Sequence, residues 1–360
     1  MKILITGPDF HRIKNMIEKA FCELGCEVKI SNWPDFSGTL FDRIKLLIYE
    51  KLNALTNSLD PSEIISDLFK EAIRDYNKEL LQEVVTVQPD VLLVLKGNIL
   101  LPETVKKIRN NSDVFLVLWS YDSALRFSNV LNGGKYYHSF YTYEPTDIQG
   151  LHKYGIQAKY LPMAYDPNTY FKLEDETYLR DISFVGALSV YPERKKILEL
   201  IISRHKNLDL EIWGTAWTWY NPFLQYEYKI KRRALGKHIH NYNIPPKEVN
   251  KVYNATKICL NIHHRQSKEG VNPRTFEILG AGAFQLIDYK KELEDMFDIG
   301  REIVCYKNEA DLLDKIEYYL ENEDERTKIA RRGHEIVKKK HTYKHRAETI
   351  LSDVEMLRGK

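Results

Sequence analysis

Apolar positions in this chain come in short continuous runs separated by amphipathic stretches. The runs predict strands at Lys2–Thr6, Glu27–Ile30, Val91–Leu95, Val114–Trp119, His138–Tyr143 and Ala158–Leu161. Helices are expected between them, at about Phe10–Leu24, after Pro102 and at Pro145–Tyr154, with a long helical insertion at about 36–87. Around Pro162–Asp181 the alternation gives way to an acidic stretch containing proline, which marks a domain boundary. It resumes with strands at Ile182–Val185, Leu208–Trp213, Ile239–Tyr242, Ile258–Ile262 and Glu302–Tyr306, helices at Pro192–His205 and Pro245–Asn254, a helix near Glu292 and terminal helices. Apolar strands alternating with helices indicate parallel sheets covered on both faces. The fold class is therefore α/β, with two Rossmann-like, doubly wound domains in tandem and a ligand expected in a cleft at the carboxyl ends of the strands.

One segment carries the most chemistry. Lys268 to Glu277 reads as a glycine-containing loop, through Gly270, that runs into a helix start, and Ile278 to Asp288 continues as a small-residue helix and a buried strand. Asn272 suits the N-cap and Pro273 the first helical position, so the amides of Arg274, Thr275 and Phe276 are left to bind an anion. Glu277 sits one turn in, and helical side chains tilt toward the N-terminus, which aims its carboxylate at the helix mouth. Glu269 would face the same place from the loop. Carboxylates beside a phosphate suit sugar or ribose hydroxyls. The same residues also fit an ordinary strand-loop-helix connection in which Glu277 complements the helix dipole.

Composition narrows the class further. The chain has 360 residues, 43% hydrophobic and 29% charged, with a net charge of +2 and a mean hydropathy of -0.44, as expected of a globular protein with two domains. No run approaches a membrane span, and Met1 leads straight into a strand, so the expected location is the cytoplasm. Cys22, Cys26, Cys259 and Cys305 lack paired metal spacing and read as core thiols. The basic run Lys229, Lys231, Arg232, Arg233, Lys237 and His238 is either a solvated helix face or a surface for anionic lipid or a polyanionic acceptor. The balance of charge makes no case for nucleic acid.

The C-terminal half then resembles a known family. Phe184-Val185-Gly186, Pro192-Glu193-Arg194-Lys195, Ile212-Trp213-Gly214, Leu260-Asn261-Ile262-His263 and Asn272-Pro273-Arg274-Thr275-Phe276-Glu277 are similar to the CgeB-type spore maturation proteins, a branch of the group 1 glycosyltransferases. The spacing of Glu269 and Glu277 also resembles the Glu-x7-Glu motif of retaining glycosyltransferase family 4, although this chain has Gly270-Val271-Asn272 where that motif often has Gly-Phe-Gly. The N-terminal half matches in order and in patches such as Trp119-Ser120-Tyr121-Asp122. The resemblance implies a GT-B fold, with an acceptor-binding domain at 1–170, a nucleotide-sugar domain at 171–340 and a helix at 341–360 returning to the first domain. It implies a donor that is a UDP-sugar or, second, a GDP-sugar, a hexosyltransferase activity, and an acceptor among glycans, proteins and lipids. Glu277 would hold the ribose, Glu269 the donor sugar hydroxyls, and Arg194 with Lys195 the diphosphate, which Arg binds as a fork. The donor site so expected comprises Glu277, Arg194, Lys195, Gly186, Gly270, Asn272, Arg274, Thr275 and His263.

No Asp-x-Asp pair occurs, so no metal is expected and charge neutralisation falls to Arg194, Lys195 and the helix start. Retention in such enzymes is drawn as same-face attack, with a donor phosphate oxygen taking the acceptor proton. Asp122, beyond the strand ending at Trp119, is the acceptor-side candidate and equally a helix N-cap for the segment from Ser123. His11 is an outside candidate. Of His263 and His264 at most one faces the site, since neighbours in extended chain point in opposite directions. Trp213, Trp217, Trp219 and Tyr220 are either packing or stacking groups. A dehydrogenase is set aside because neither Gly7 nor Gly186 opens a Gly-x-Gly-x-x-Gly turn. The rivals kept are a nucleotide-sugar epimerase of the same architecture and a catalytically inactive sugar-nucleotide-binding or coat-assembly protein.

Overall fold

The structure, a computed structural model, describes residues 1–9, 12–34, 69–174, 178–189, 191–219, 221–264 and 267–359. His11, Tyr220 and the part of the expected insertion from 36 to 68 lie outside the described residues. The chain divides into two compact units, Met1–Pro162 with Lys344–Lys360, and Met163–Tyr343.

The first unit is built on β1 (Lys2–Gly7), β2 (Glu27–Asn32), β3 (Val91–Leu95), β4 (Phe115–Ser120), β5 (Ser139–Thr142) and β6 (Ala158–Tyr160), all parallel in the order β2-β1-β3-β4-β5-β6. Its central strands β3 and β4 are buried at every position, the pattern of a sheet covered on both faces. Gly7 is required where β1 ends, because a Cβ there would come within 2.5 Å of the Leu95 side chain. The final helix, Tyr343–Arg358, is fastened within this unit from residue 344 onward: Lys159 meets Asp353 at 2.5 Å, and Arg346 donates from Nε to the Pro162 carbonyl at 2.9 Å.

The second unit holds β7 (Arg180–Val185), β8 (Leu210–Trp213), β9 (Ile239–His240), β10 (Thr256–Asn261), β11 (Gln285–Asp288) and β12 (Val304–Tyr306) in the parallel order β12-β11-β10-β7-β8-β9. This is the doubly wound arrangement, and its strand order reverses between β7 and β10. Ile182, Phe184, Ile212, Ile258, Leu260 and Leu286 form the centre of its core. Its two chain ends are tied together, with Tyr165 N–H donating to the His341 carbonyl at 3.2 Å and Tyr343 N–H to the Tyr165 carbonyl at 3.0 Å.

Candidate donor site at the switch point of the second sheet

Ligands of open α/β sheets bind beyond the carboxyl ends of the strands where the order reverses. Past Val185 the chain continues into Gly186 and Ala187, and past Asn261 into Ile262 and His263. Arg194, in the first turn of the Pro192–Arg204 helix, ties these two loops together: its Nε–H donates to the Ile262 carbonyl at 3.1 Å and its Nη1–H to the Ala187 carbonyl at 2.9 Å. The guanidinium lies 4.3 Å from the Tyr191 ring centroid, and its residue is only 3% exposed. Gly186 leaves it room, since a Cβ there would sit 2.9 Å from the Phe184 ring and 3.4 Å from Nη1. Among the described residues no carboxylate lies within ion-pair distance of Arg194. Burial, and then the charge of Arg274, lower its pKa to about 10. A buried cation held by carbonyls, beside a second cation and at a helix N-terminus, is a site that an anion would complete.

The expected helix start is present. The helix spans Pro273–Gly280, and the Asn272 side chain accepts from the Thr275 N–H at 3.1 Å. Around it runs a buried polar network. Asn261, at the end of β10, donates to Asn272 Oδ1 at 3.0 Å and to Gln285 Oε1 at 3.1 Å, and accepts from Asn272 Nδ2 at 2.9 Å. Gln285 donates to the Thr275 carbonyl at 3.1 Å. Every member is paired, so the network fixes the helix start against β10 and β11. Thr275, wholly buried and bonded through both its N–H and hydroxyl to Asn272, is part of this frame rather than open to a ligand.

His263 belongs to the same frame. Asn272 N–H donates to its Nε2 at 3.2 Å, and its Nδ1 faces Asp288 Oδ1 at 2.9 Å, so the ring carries its proton on Nδ1. The side chain is 1% exposed and both ring nitrogens have partners within the protein. Burial disfavours the charged form of Asp288, and the His263 ring and backbone N–H, with Lys290, hold its carboxyl below the usual carboxylate range. His264 turns the other way and stacks on Tyr191 at 5.5 Å.

Glu277 is buried, with the charge of Arg274 and the Tyr170 side chain nearby, both of which favour its charged form. Burial outweighs both and raises its pKa to about 7. Arg274 is itself half-buried, and no carboxylate among the described residues reaches ion-pair distance of it. Arg194, Arg274 and Glu277 are thus brought into one electrostatic neighbourhood.

Three expected residues are turned to other partners. Glu269 accepts from the Lys291 N–H at 2.8 Å, which anchors the loop to the start of the Glu292–Met296 helix. Lys195 pairs with Glu227 at 3.1 Å and lies over the Tyr228 ring, so it does not join Arg194. Asp122, in the first unit, accepts from the Ser123 N–H and pairs with Arg126 at 2.9 Å and Lys96 at 3.5 Å. The helical turn Ala124–Arg126 has Ser123 at its N-cap without a side-chain cap bond, so Asp122 does not cap it. Gly270 is buried in the loop before Asn272. Asn261, Gln285, Asp288 and Tyr170 also belong to this region, beyond the residues the sequence points to. The first three carry a signal in hindsight, as polar residues at the ends of apolar strands, whereas nothing local marks Tyr170. The described residues include no cluster of three or more His, Cys, Asp or Glu able to hold a metal.

Residues 194–352 match a family model described as "Glycosyl transferase-like". An uncharacterized protein of Aquifex aeolicus is 32% identical over 110 residues, which is 29% of this chain and 27% of that protein, so the chain spans about a quarter of its curated relative. Among solved structures, sucrose-phosphate synthase from Thermosynechococcus elongatus is similar with a TM-score of 0.71 at 10% identity, covering 100% of this chain and 99% of the other. Anabaena HepE in complex with UDP-glucose is similar with a TM-score of 0.66 at 12% identity, covering 98% of this chain and 99% of the other. The likeness to the solved structures shows the fold, GT-B, and the family match covers less than half of the chain.

Proposed function

We propose that this protein transfers a hexose from a nucleotide diphosphate sugar, a UDP-sugar before a GDP-sugar, to an acceptor hydroxyl with retention and without a divalent cation. The observation that carries the reading is the pair of guanidiniums, Arg194 and Arg274, close enough for one to lower the pKa of the other and without a carboxylate partner among the described residues. A diphosphate supplies the missing charge, and Arg binds it through two N–H groups at once. HepE, which was solved with UDP-glucose, adds support for this donor class. The motif residues from Phe184 to Glu277 favour the CgeB-type branch.

In this reading Arg194 and Arg274 hold the diphosphate, and Glu277 accepts hydrogen bonds from the ribose hydroxyls. As the bond between the anomeric carbon and the diphosphate oxygen breaks, negative charge grows on the leaving group, and the two guanidiniums stabilise it. The acceptor oxygen bonds to the same face of the anomeric carbon, and its proton passes to a diphosphate oxygen. No separate base is needed. The frame of Asn261, Asn272, His263 and Asp288 keeps the helix start in position while this happens.

A thermal-shift screen of nucleotide diphosphates and their sugars tests the reading. A ligand at about a hundred times its dissociation constant adds roughly 2.7 kcal/mol of stability, and Glu277→Ala should abolish the shift. An unchanged melting point with UDP, GDP and all their sugars would sink the donor site. Turnover lost in a chelator and restored by a divalent cation would overturn metal independence alone.

A further inference from the structure

The donor site leaves unused a surface of the second unit between residues 219 and 237. Trp219, Phe223, Tyr226 and Ile230 are 72%, 64%, 58% and 63% exposed. They follow one another at steps of four, three and four, the spacing that keeps side chains on one face of a helix. Three of them lie on the Pro222–Tyr226 helix and the π-helical turn Glu227–Lys231 that continues it. On the opposite side Leu224, Tyr228 and Leu235 pack into the core. The segment therefore has two apolar sides, of which the inner one packs into the core and the outer one is largely exposed. Four large apolar side chains exposed at this spacing suit an interaction site.

Its rim is basic. Lys229, Lys231, Arg233 and Lys237 are exposed, whereas Arg232 turns inward to Glu199 and Glu227. Glu227 is the only acid between 219 and 238, and Lys195 and Arg232 already occupy it. The outward charge stays positive.

We propose that this face seats the protein on an anionic lipid bilayer. Phe223 and Ile230 would enter the boundary between headgroups and acyl chains, Trp219 and Tyr226 would keep their polar tips among the headgroups, and the four cations would meet lipid phosphates. Two copies placed face to face would bring two basic rims together, which disfavours self-docking. A polyanion would satisfy the rim but leave Phe223 and Ile230 in water. The attachment is peripheral, because no helix among the described residues is long and apolar enough to cross a membrane.

The test is co-sedimentation of the full chain with vesicles of phosphatidylcholine alone or mixed equally with phosphatidylglycerol. The protein should pellet with the mixed vesicles, stay in solution with the neutral ones, and be released by molar salt. Lys229→Ala with Lys231→Ala should lower the partition coefficient about 25-fold, at about fivefold per charge, and Phe223→Ser with Ile230→Ser should abolish pelleting. All four side chains are exposed, so these variants should melt with the wild type and keep its response to UDP. If the serine pair melts lower, the lysine pair alone decides. Equal binding to both vesicle types, or pelleting unchanged by either pair, would overturn the proposal. So would sedimentation that grows with protein concentration without lipid, or retention on heparin that survives the serine pair while vesicles are ignored.

Discussion

Beyond β4, in the first unit, Asp122 meets Arg126 at 2.9 Å and Lys96 at 3.5 Å, and its Oδ1 takes the Ser123 N–H. Beyond β7 and β10, in the second, Arg194 meets two carbonyls and an aromatic ring, and its nearby charged neighbour Arg274 is another cation. The two sheets share a parallel design, yet beyond the first the charge of Asp122 is paired at contact distance, while beyond the second Arg194 and Arg274 have no carboxylate at ion-pair distance among the described residues. Paired charges of this partly exposed kind add little stability. Unpaired buried cations are costly to fold around and persist where something else completes them. Burial of charge without a partner, more than the presence of charged residues, separates a candidate site from a structural cluster here.

The largest effect should come from Arg194→Ala. It should weaken UDP-glucose binding about a hundredfold, roughly the 3 kcal/mol at the upper end for a hydrogen bond to a charged group. Arg194→Lys should recover little of this, because a single ammonium cannot reproduce the fork that spans Ile262 and Ala187. Isothermal titration calorimetry reads both. Affinity within twofold of wild type in Arg194→Ala would remove the basis of the site.

Glu277 gives the next effect. Its folded pKa of about 7 stands above its ordinary 4.5, so its contribution to stability is complete below about 4.5 and is lost as pH rises through about 7. The loss is on the order of 3 kcal/mol. Urea denaturation should show wild-type stability falling from pH 5 to pH 8 by more than in Glu277→Gln, which should also be the more stable protein at pH 8. Ribose hydroxyls favour the charged carboxylate, so wild-type affinity for UDP-glucose should climb over the same interval. Parallel stability curves for the two proteins would contradict the burial argument.

His263→Ala should cost about 2 kcal/mol by leaving the buried Asn272 N–H without an acceptor, and it should weaken donor binding by shifting the helix start. Undiminished stability would mean that the ring is not part of the frame. The smallest effects should come from Asp122→Ala and Lys195→Met. Each should leave donor affinity unchanged and lower stability by no more than about 1 kcal/mol. A tenfold loss of affinity in Lys195→Met would restore that residue to the donor site and blur the contrast with Arg194.

The sequence makes the alternation of strands and helices plain because continuous apolar runs such as Val91–Leu95 have few other uses in a chain of this composition. The cap at Asn272 is legible for a similar reason: Asn followed by Pro is a local signal, and its hydrogen bond to Thr275 spans three residues. Side-chain direction is different, because it depends on distant partners. Lys195 turns to Glu227, Glu269 to the amide of Lys291, and His263 to Asp288. Local spacing says nothing of these pairings. Arg194 was readable as a cation at a helix start, but its grip on Ile262, 68 residues away, needed the sheet order.

The most direct measurement is a crystal structure of the protein with UDP. The diphosphate should lie within hydrogen-bonding distance of both the Arg194 and Arg274 guanidiniums, with the ribose hydroxyls on Glu277. UDP bound elsewhere, with Arg194 still held only by the carbonyls of Ile262 and Ala187, would contradict it.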